Sequence, residues 1–349
     1  MGKSTPTKLV LGVFDHLDDA GLNIAQQYQA RLSLVEAYDQ LGFHAYHVAE
    51  HHCTPHGMVP SPNLFLSSVA QRTKSLRFGP LVMLLNLYHP LRAFEEICML
   101  DHLSGGRLEM GVGLGGLSDE LGYFGVDTKS ARERYIEISE IVLKAMKGGT
   151  LDHHGQFFEL NDVPLTMTPH QRPHPPMWLG TNRPESAAWA ADVGANVVCV
   201  GPASSVRKVT DAYRTHRESS AGAANARPLL GMVRKIVVAQ SDAAARSLAA
   251  SAYERWLTSF KFLYERTGAP LPPVLPSSFD AATRSEHCVV GTEASVRDTL
   301  LRQAEEAGVN YLLCQFAFGD LPVEASLYAA KAVRSLMMAG DPELVAERS

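Results

Sequence analysis

The sequence has 349 residues, 46% of them hydrophobic and 20% charged, a composition that can bury a large core and excludes a disordered chain. It carries 32 Lys and Arg against 37 Asp and Glu, a formal net charge of −5, and it has no basic stripe. This balance argues against general binding of nucleic acids or membrane surfaces.

The cysteines and the apolar stretches indicate the compartment. Five scattered cysteines without Cys-x-x-Cys spacing are typical of reduced thiols in a cytosolic protein. The uncharged run before Asp15 covers only residues 9–14, which is too short for the apolar core of a signal peptide. Residues 78–91 include two prolines and fall short of the ~18 apolar residues of a membrane span. We therefore expect a cytoplasmic protein without membrane contact.

Hydrophobic periodicity divides the chain into alternating strands and helices. Short apolar runs predict eight strands, at residues 8–14, 44–49, 76–85, 108–112, 177–179, 196–200, 229–239 and 311–315. Helical spacing predicts helices at residues 24–41, 62–72, 91–103, 131–146, 184–193, 204–219, 242–266, 292–307 and 321–338. A polar, aromatic stretch at 155–165 predicts a hairpin, and no clean helix is predicted at 118–125.

This alternation predicts the fold class. Strands that are apolar throughout, each followed by a helix, are typical of a parallel sheet covered by helices. Eight such units favour an α/β fold of the (β/α)₈ TIM-barrel type with insertions, and no linker divides residues 1–349 into two domains. Residues 267–287, rich in Pro, Ser and Ala, predict a mobile loop near the active site.

A histidine-rich segment follows the second predicted strand. Residues 44–56 end in Glu50, His51, His52, Cys53 and, three positions on, His56. Because barrel enzymes place their chemistry where strands end, we expect His51 to be an acid/base residue. Two alternatives stay open: a metal-dependent hydrolase with His51, Cys53 and His56 as ligands, and polar groups that only satisfy one another. Neighbouring side chains of an extended segment point opposite ways, which favours the lone histidine over the metal.

Two further segments are candidates for binding a phosphorylated ligand. Residues 111–116 match Gly-x-Gly-x-x-Gly, but without an immediate helix this is a weak dinucleotide signal and fits a loop that lets backbone approach a ligand. At 181–186 a helix begins with Pro184 beside Arg183, so free N–H groups and a cation predict an anion site. The alternative is an ordinary helix start with a solvated arginine. Tyr135 either reaches a phosphate or belongs to a solvated helix face.

Six stretches, in order along the chain, resemble those of the bacterial luciferase-like family of flavin-dependent monooxygenases. They are Ala49-Glu50-His51-His52, Tyr88-His89-Pro90-Leu91-Arg92, the motif from Asp101 to Leu108, Tyr123-Phe124-Gly125, the motif from Pro184 to Ala191, and the motif from Glu306 to Asn310. The resemblance implies a barrel that binds reduced FMN delivered by a separate reductase, with F420 as the cofactor of some relatives. It further implies that flavin and O₂ form a C4a-(hydro)peroxide.

The resemblance also implies roles for residues. His51 resembles the catalytic histidine, and the Leu81–Val82 peptide matches a non-proline cis bond under the flavin ring. The implied cofactor site consists of Leu81, Val82, Gly113, Leu114, Tyr135, Asn182, Arg183 and Ser186. Leu114 replaces an arginine that grips the phosphate in relatives. Arg183 either compensates for this loss from the other side, or the chain is a non-catalytic partner subunit.

The expected substrate is a small, mostly apolar molecule with one polar handle, oxidised with O₂. The residues inferred to line its pocket are Phe14, Tyr46, Glu50, Leu85, Asn86, Tyr88 and Gln315. A homodimer is expected from family habit, and the metal-free enzyme is preferred to the hydrolase.

Overall fold

The computed structural model describes residues 9–219, 227–272 and 275–338. Its strands are β1 (Val10–Asp15), β2 (Ala45–Val48), β3 (Arg77–Pro80), β4 (Met83–Leu84), β5 (Met110–Gly113), β6 (Gly149–His154), β7 (Glu159–Leu165), β8 (Met177–Gly180), β9 (Asn196–Cys199), β10 (Leu230–Val238), β11 (Cys288–Gly291) and β12 (Tyr311–Gln315).

Helices follow the strands, as a parallel sheet requires. They are α1 (Ile24–Gln40), α2 (Pro62–Arg72), α3 (Pro90–Leu103), α4 (Ser118–Tyr123), α5 (Ala131–Ala145), α6 (Pro184–Asp192), α7 (Ala203–Ser219), α8 (Asp242–Thr267), α9 (Phe279–Arg284), α10 (Glu293–Ala307) and α11 (Val323–Met338). None of the helices in these described ranges is long and apolar enough to cross a bilayer.

The large sheet confirms the predicted barrel. Its strands follow the order β3-β2-β1-β12-β10-β9-β8-β5-β4, and all of these pairs are parallel. The two ends of this path, β3 and β4, are separated in the chain only by Leu81 and Val82. A bridge between Phe78 and Leu108 brings β3 to the strand that enters β5. The nine strands therefore form a nearly closed barrel.

The barrel interior is packed, which leaves its carboxyl-end mouth for chemistry. Phe14, Leu81, Trp178 and Leu313 form part of an inner cluster, separate from the larger core between strands and helices. Close packing of the wall requires glycine at 111, where a Cβ atom would lie 2.1 Å from the Pro80 carbonyl oxygen.

Four elements differ from the predictions. The strand predicted at 76–85 is two strands, β3 and β4, divided at Leu81 and Val82. α4 occupies the region where no clean helix was predicted, and α9 lies within residues 267–287 with its Ser278 side chain accepting from the Ala281 N–H. β11 was not predicted, and it pairs with the C-terminal part of β10, residues 235–238. Residues 267–287 are therefore partly helical; their predicted mobility stays a prediction, and 273–274 lie outside the described residues.

The predicted hairpin is present and begins earlier, at Gly149. Its turn is tied to the barrel by Glu137 of α5. The Glu137 carboxylate accepts hydrogen bonds from the N–H groups of Gln156, Phe157 and Phe158 at 2.9–3.2 Å. One buried acid thus satisfies a whole turn.

Candidate active site

His51 lies at the mouth of the barrel, where β2 gives way to its loop. Its neighbour Ala49 belongs to the inner cluster, and alternation along the extended chain turns His51 to the same side. Its Nδ1 lies 3.1 Å from Glu120 Oε1, and its side chain is 23% exposed. The imidazole therefore faces the mouth, is held by a carboxylate and remains accessible.

The carboxylate partner comes from α4, and sequence reasoning missed it. Glu120 Oε1 also accepts from the His52 N–H at 2.8 Å, while Oε2 is buried and has no hydrogen-bond partner among the described residues. The pair Asp119-Glu120 in the first turn after a glycine loop was the available signal, because acids favour helix N-termini. Glu120 orients the His51 ring and ties α4 to the strand end.

Two more histidines stand beside His51. The ring centroids of His16 and His56 are 4.2 Å apart, and those of His51 and His56 are 4.8 Å apart. Burial lowers the pKa of His16, and Lys235 lowers it further. Burial, followed by the proximity of His16, lowers the pKa of His56. Both rings are therefore neutral near pH 7.

The three histidines differ from the ligand set that the metal alternative required. Cys53 is exposed, and the described group with metal-ligand spacing is His16, His51 and His56, whose ligand atoms lie within 4.8 Å of one another. Ligands of tetrahedral zinc stand about 3.3 Å apart, so this set is wider than a formed site. The adjacent cation of Lys235 also opposes a divalent ion.

Aromatic side chains of α8 cover this part of the mouth. The rings of Trp256 and Phe260 are 5.4 Å apart with an 11° angle between their planes, and His56 meets both edge-on. Lys235 of β10 places Nζ 3.4 Å from the Trp256 ring centroid. Sequence reasoning missed Lys235 and Trp256, which belong to no motif.

Two predicted pocket residues face the mouth and one does not. Phe14 belongs to the inner cluster and contacts the edge of His16, and Gln315 Nε2 lies 3.1 Å from His16 Nδ1. Tyr46 is a correction: it lies on the outer face of β2, where its hydroxyl donates to Asp15 and its ring stacks on Tyr38. It is fully buried between sheet and helix and lines no pocket.

The other three polar pocket residues brace the loops around the mouth. Glu50 accepts from the Leu84 N–H at 2.8 Å and from the Tyr88 hydroxyl at 3.1 Å, and it pairs with His52 Nε2 at 2.9 Å. Asn86 donates to the Leu114 and Ala131 carbonyl oxygens. The bonds of Glu50 and Asn86 stay within the protein, and Leu85, like them, is buried.

The residues predicted to bind the flavin ring, at 81–82 and 113–114, lie next to one another. The Leu81–Val82 peptide bond is cis, as the resemblance implied. Gly113 lies against it so closely that a Cβ atom would be 2.4 Å from Val82 Cγ2. Leu114, the next residue, is half-buried. A glycine-lined wall therefore runs from β4 to β5.

The predicted phosphate segment opens α6. Arg183 is the N-cap residue, is exposed, and makes no side-chain capping bond. Asn182 is committed to the protein, since its Oδ1 accepts from the Val200 N–H at 3.0 Å. Ser186 is half-buried in the first turn, and the Tyr135 hydroxyl on α5 is buried without a hydrogen-bond partner in the described ranges.

The chain has relatives of known class. Residues 10–311 match the luciferase-like monooxygenase family. The chain is 63% identical over 338 residues to the uncharacterized protein y4wF of Sinorhizobium fredii, covering 97% of this chain and 99% of that one. It is 31% identical over 174 residues to the oxygenase component of the flavin-dependent trigonelline monooxygenase of Acinetobacter baylyi, about half of either chain (49% and 48%).

Solved structures share the architecture. Monooxygenase RslO1 from Streptomyces bottropensis superposes with a TM-score of 0.85 at 26% identity, covering 95% of this chain and 99% of that one. The oxygenating constituent of 3,6-diketocamphane monooxygenase from Pseudomonas putida, in complex with FMN, has a TM-score of 0.77 at 17% identity, with 94% and 97% covered. An F420-dependent secondary alcohol dehydrogenase has a TM-score of 0.72 at 15% identity, with 95% and 99% covered. At these lower identities the last two share only the fold. Family match and fold together identify this chain as an oxidoreductase belonging to the luciferase-like monooxygenases.

Proposed function

We propose that this chain is the oxygenase component of a two-component system, which uses reduced FMN from a separate reductase and O₂ to oxidise a small organic molecule. The observation that carries the proposal is the partly exposed His51 held by a buried Glu120 at the barrel mouth. The flavin-dependent relative from Acinetobacter supports the cofactor class.

The wall of the mouth fits a flat ring. Gly113 brings backbone close to Val82, and no side chain projects from that position. Leu81 and Val82 present apolar surface beside it. We infer that Leu81, Val82, Gly113 and Leu114 would hold the isoalloxazine.

The start of α6 fits the phosphate. Its first N–H groups receive no side-chain cap, and the exposed Arg183 adds a cation. We infer that Arg183 and Ser186 would bind the phosphate, with Asn182 holding the loop and the Tyr135 hydroxyl as a further donor. Leu114 brings no charge, so phosphate binding in this chain would depend on the start of α6.

The protein's own residues then perform three tasks. His51 accepts or donates a proton at the reacting oxygen, and Glu120 keeps its ring in place through that transfer. Trp256 and Phe260 exclude water above the mouth. Bound reduced flavin supplies the electrons that activate O₂.

Anaerobic titration followed by rapid mixing with O₂ tests the proposal. We expect the protein to bind reduced FMN more tightly than F420, and the bound flavin to return to its oxidised form in two phases. His51→Gln should change the slower phase, whereas His102→Gln, on the exposed side of α3, should not. Reoxidation in one phase at the rate of free flavin would refute the assignment.

A further inference from the structure

One corner of the mouth has hydrogen-bonding groups that the protein leaves unused. β10 and β12 pair Lys235 with Gln315, and their inward-facing neighbours Val233 and Leu313 belong to the inner cluster. In a parallel pair, side chains in register point to the same face. Lys235 and Gln315 therefore stand side by side at the mouth.

The ammonium group of Lys235 faces rings and no acceptor. Its Nζ lies 3.4 Å from the Trp256 centroid and about 6 Å from Phe318 and Tyr253 (5.9 and 6.0 Å). Within the described ranges it forms no hydrogen bond or ion pair. Cation–π contact offsets part of the cost of burying the charge, but it leaves the three N–H donors without acceptors.

Two neighbouring groups share this condition. Trp256 is 3% exposed, and its Nε1 has no acceptor among the described residues. Gln315 is fully buried; one end of its amide meets His16, and Oε1 has no partner. Turning the amide over would exchange the ends and still leave one of them unused. Trp256 lies against Lys235 and against the His16 ring, which Gln315 also meets, so the two donors and the free amide end belong to one cluster of side chains.

We propose that Lys235, Trp256 and Gln315 bind the anionic oxygen of an aromatic substrate, a carboxylate or a phenolate. This inference rests on the proposed function, whose substrate class it specifies. An anionic oxygen would supply acceptors to both donors, and a substrate hydroxyl would use the free end of Gln315. The rings of Phe14, His16, His56 and Phe260 surround the body of the substrate.

The charged surroundings support an anion. Burial lowers the pKa of Lys235 to about 8, with Cys288 and Asp18 opposing the shift, so the side chain is mostly cationic at pH 7. His16 and His56, which interact with it, have lowered pKa values and are neutral there. Asp18 is also near and is ionised at pH 7, because burial raises its pKa only to about 6; Arg31 offsets its charge, and its carboxylate accepts from the Gly319 N–H at 2.7 Å.

Calorimetric binding of matched probes tests the site without turnover. The carboxylate arm compares 2-naphthoate with the neutral 2-naphthamide, and the phenolate arm compares 4-nitrophenolate with 4-nitroanisole. We expect the wild type to prefer the anion of one pair by about ten-fold or more, as charge-assisted hydrogen bonds imply. Lys235→Met should abolish this preference and Lys235→Arg should keep most of it. Lys208→Met, on the exposed side of α7, should leave it unchanged.

The outcomes separate the two proposals. Equal affinity for anion and neutral probe in both arms of the wild type, or an unchanged preference in folded Lys235→Met, overturns the anion site. If Lys235→Met fails to fold, the test passes to pH: anion binding by the wild type should weaken as pH rises through about 8, and its absence also overturns the site. Reduced FMN is titrated in parallel, so loss of flavin binding with the anion preference intact counts against the proposed function alone.

Discussion

Replacing Arg183 by alanine removes the cation at the N-cap position of α6. A hydrogen bond to a charged group contributes about 1.5–3 kcal/mol, and solvent screening at an exposed side chain reduces this to about 0.5–1.4 kcal/mol. We therefore expect Arg183→Ala to weaken the binding of reduced FMN two- to ten-fold, since about 1.4 kcal/mol corresponds to a factor of ten in the dissociation constant. The α6 N–H groups remain and preserve the rest of the affinity.

The assay is an anaerobic fluorescence titration with reduced FMN and, as the matched ligand, reduced riboflavin. Riboflavin lacks the phosphate, so its affinity should be the same in wild type and Arg183→Ala. Leu114→Arg should strengthen the binding of reduced FMN and leave the affinity for reduced riboflavin unchanged, because it places a cation beside the glycine-lined wall. An equal loss for both ligands in Arg183→Ala would refute the placement of the phosphate at α6.

Three predictions concern stability. Asp18→Asn should stabilise the protein by about 1–3 kcal/mol near pH 7.5. Burial raises the folded-state pKa of Asp18 from 3.8 to about 6, so the charged form destabilises the fold as pH rises through that window. In urea denaturation the gain should shrink toward pH 4, and an equal gain at both pH values would contradict the prediction. Glu137→Ala should cost about 1–3 kcal/mol in thermal melts. Burial raises the pKa of Glu137, but its hydrogen bonds outweigh this and lower it below 4.5, so this stabilisation should persist at neutral pH and vanish as pH falls through the folded-state value; a loss that begins near pH 7 would contradict it. Gly111→Ala should cost about 3 kcal/mol or more because its Cβ meets Pro80 backbone, whereas Gly122→Ala on α4, with open space around it, should be neutral or stabilising by about 0.5–1 kcal/mol; similar effects of both would refute the wall packing.

Local signals account for what the sequence could predict. α2 spans Pro62–Arg72, as predicted, because proline suits the first helical position. α8 begins at Asp242, as predicted, and the side chain of the preceding Ser241 accepts from the Ala244 N–H, as serine does at an N-cap. Each signal lies within a few residues of the feature that it predicts.

The errors arise where local signals are absent. Tyr46 was assigned to the mouth because both faces of a barrel strand are apolar, so the pattern does not tell the lumen from the helix side. β11 has only four residues and follows a segment of loop-like composition. The two pairings of the mouth, His51 with Glu120 and His16 with Gln315, join residues 69 and 299 positions apart. Barrel closure creates them, and no short motif encodes them.

The two donors of the mouth stand on different supports, Lys235 on the long strand β10 and Trp256 on the helix α8. β10 has nine residues, and at Lys235 it changes partners: the residue pairs with Gln315 of β12 on one side and with Cys288 of β11 on the other. Its backbone is thus paired on both sides, whereas Trp256 belongs to α8, a helix whose aromatic side chains contact the mouth residues His56 and Lys235. Relatives that act on bulkier or smaller compounds should therefore retain the cation at the position of Lys235 and differ in the side chains of α8. The polar end of the ligand would then keep its position while the shape of its body varies.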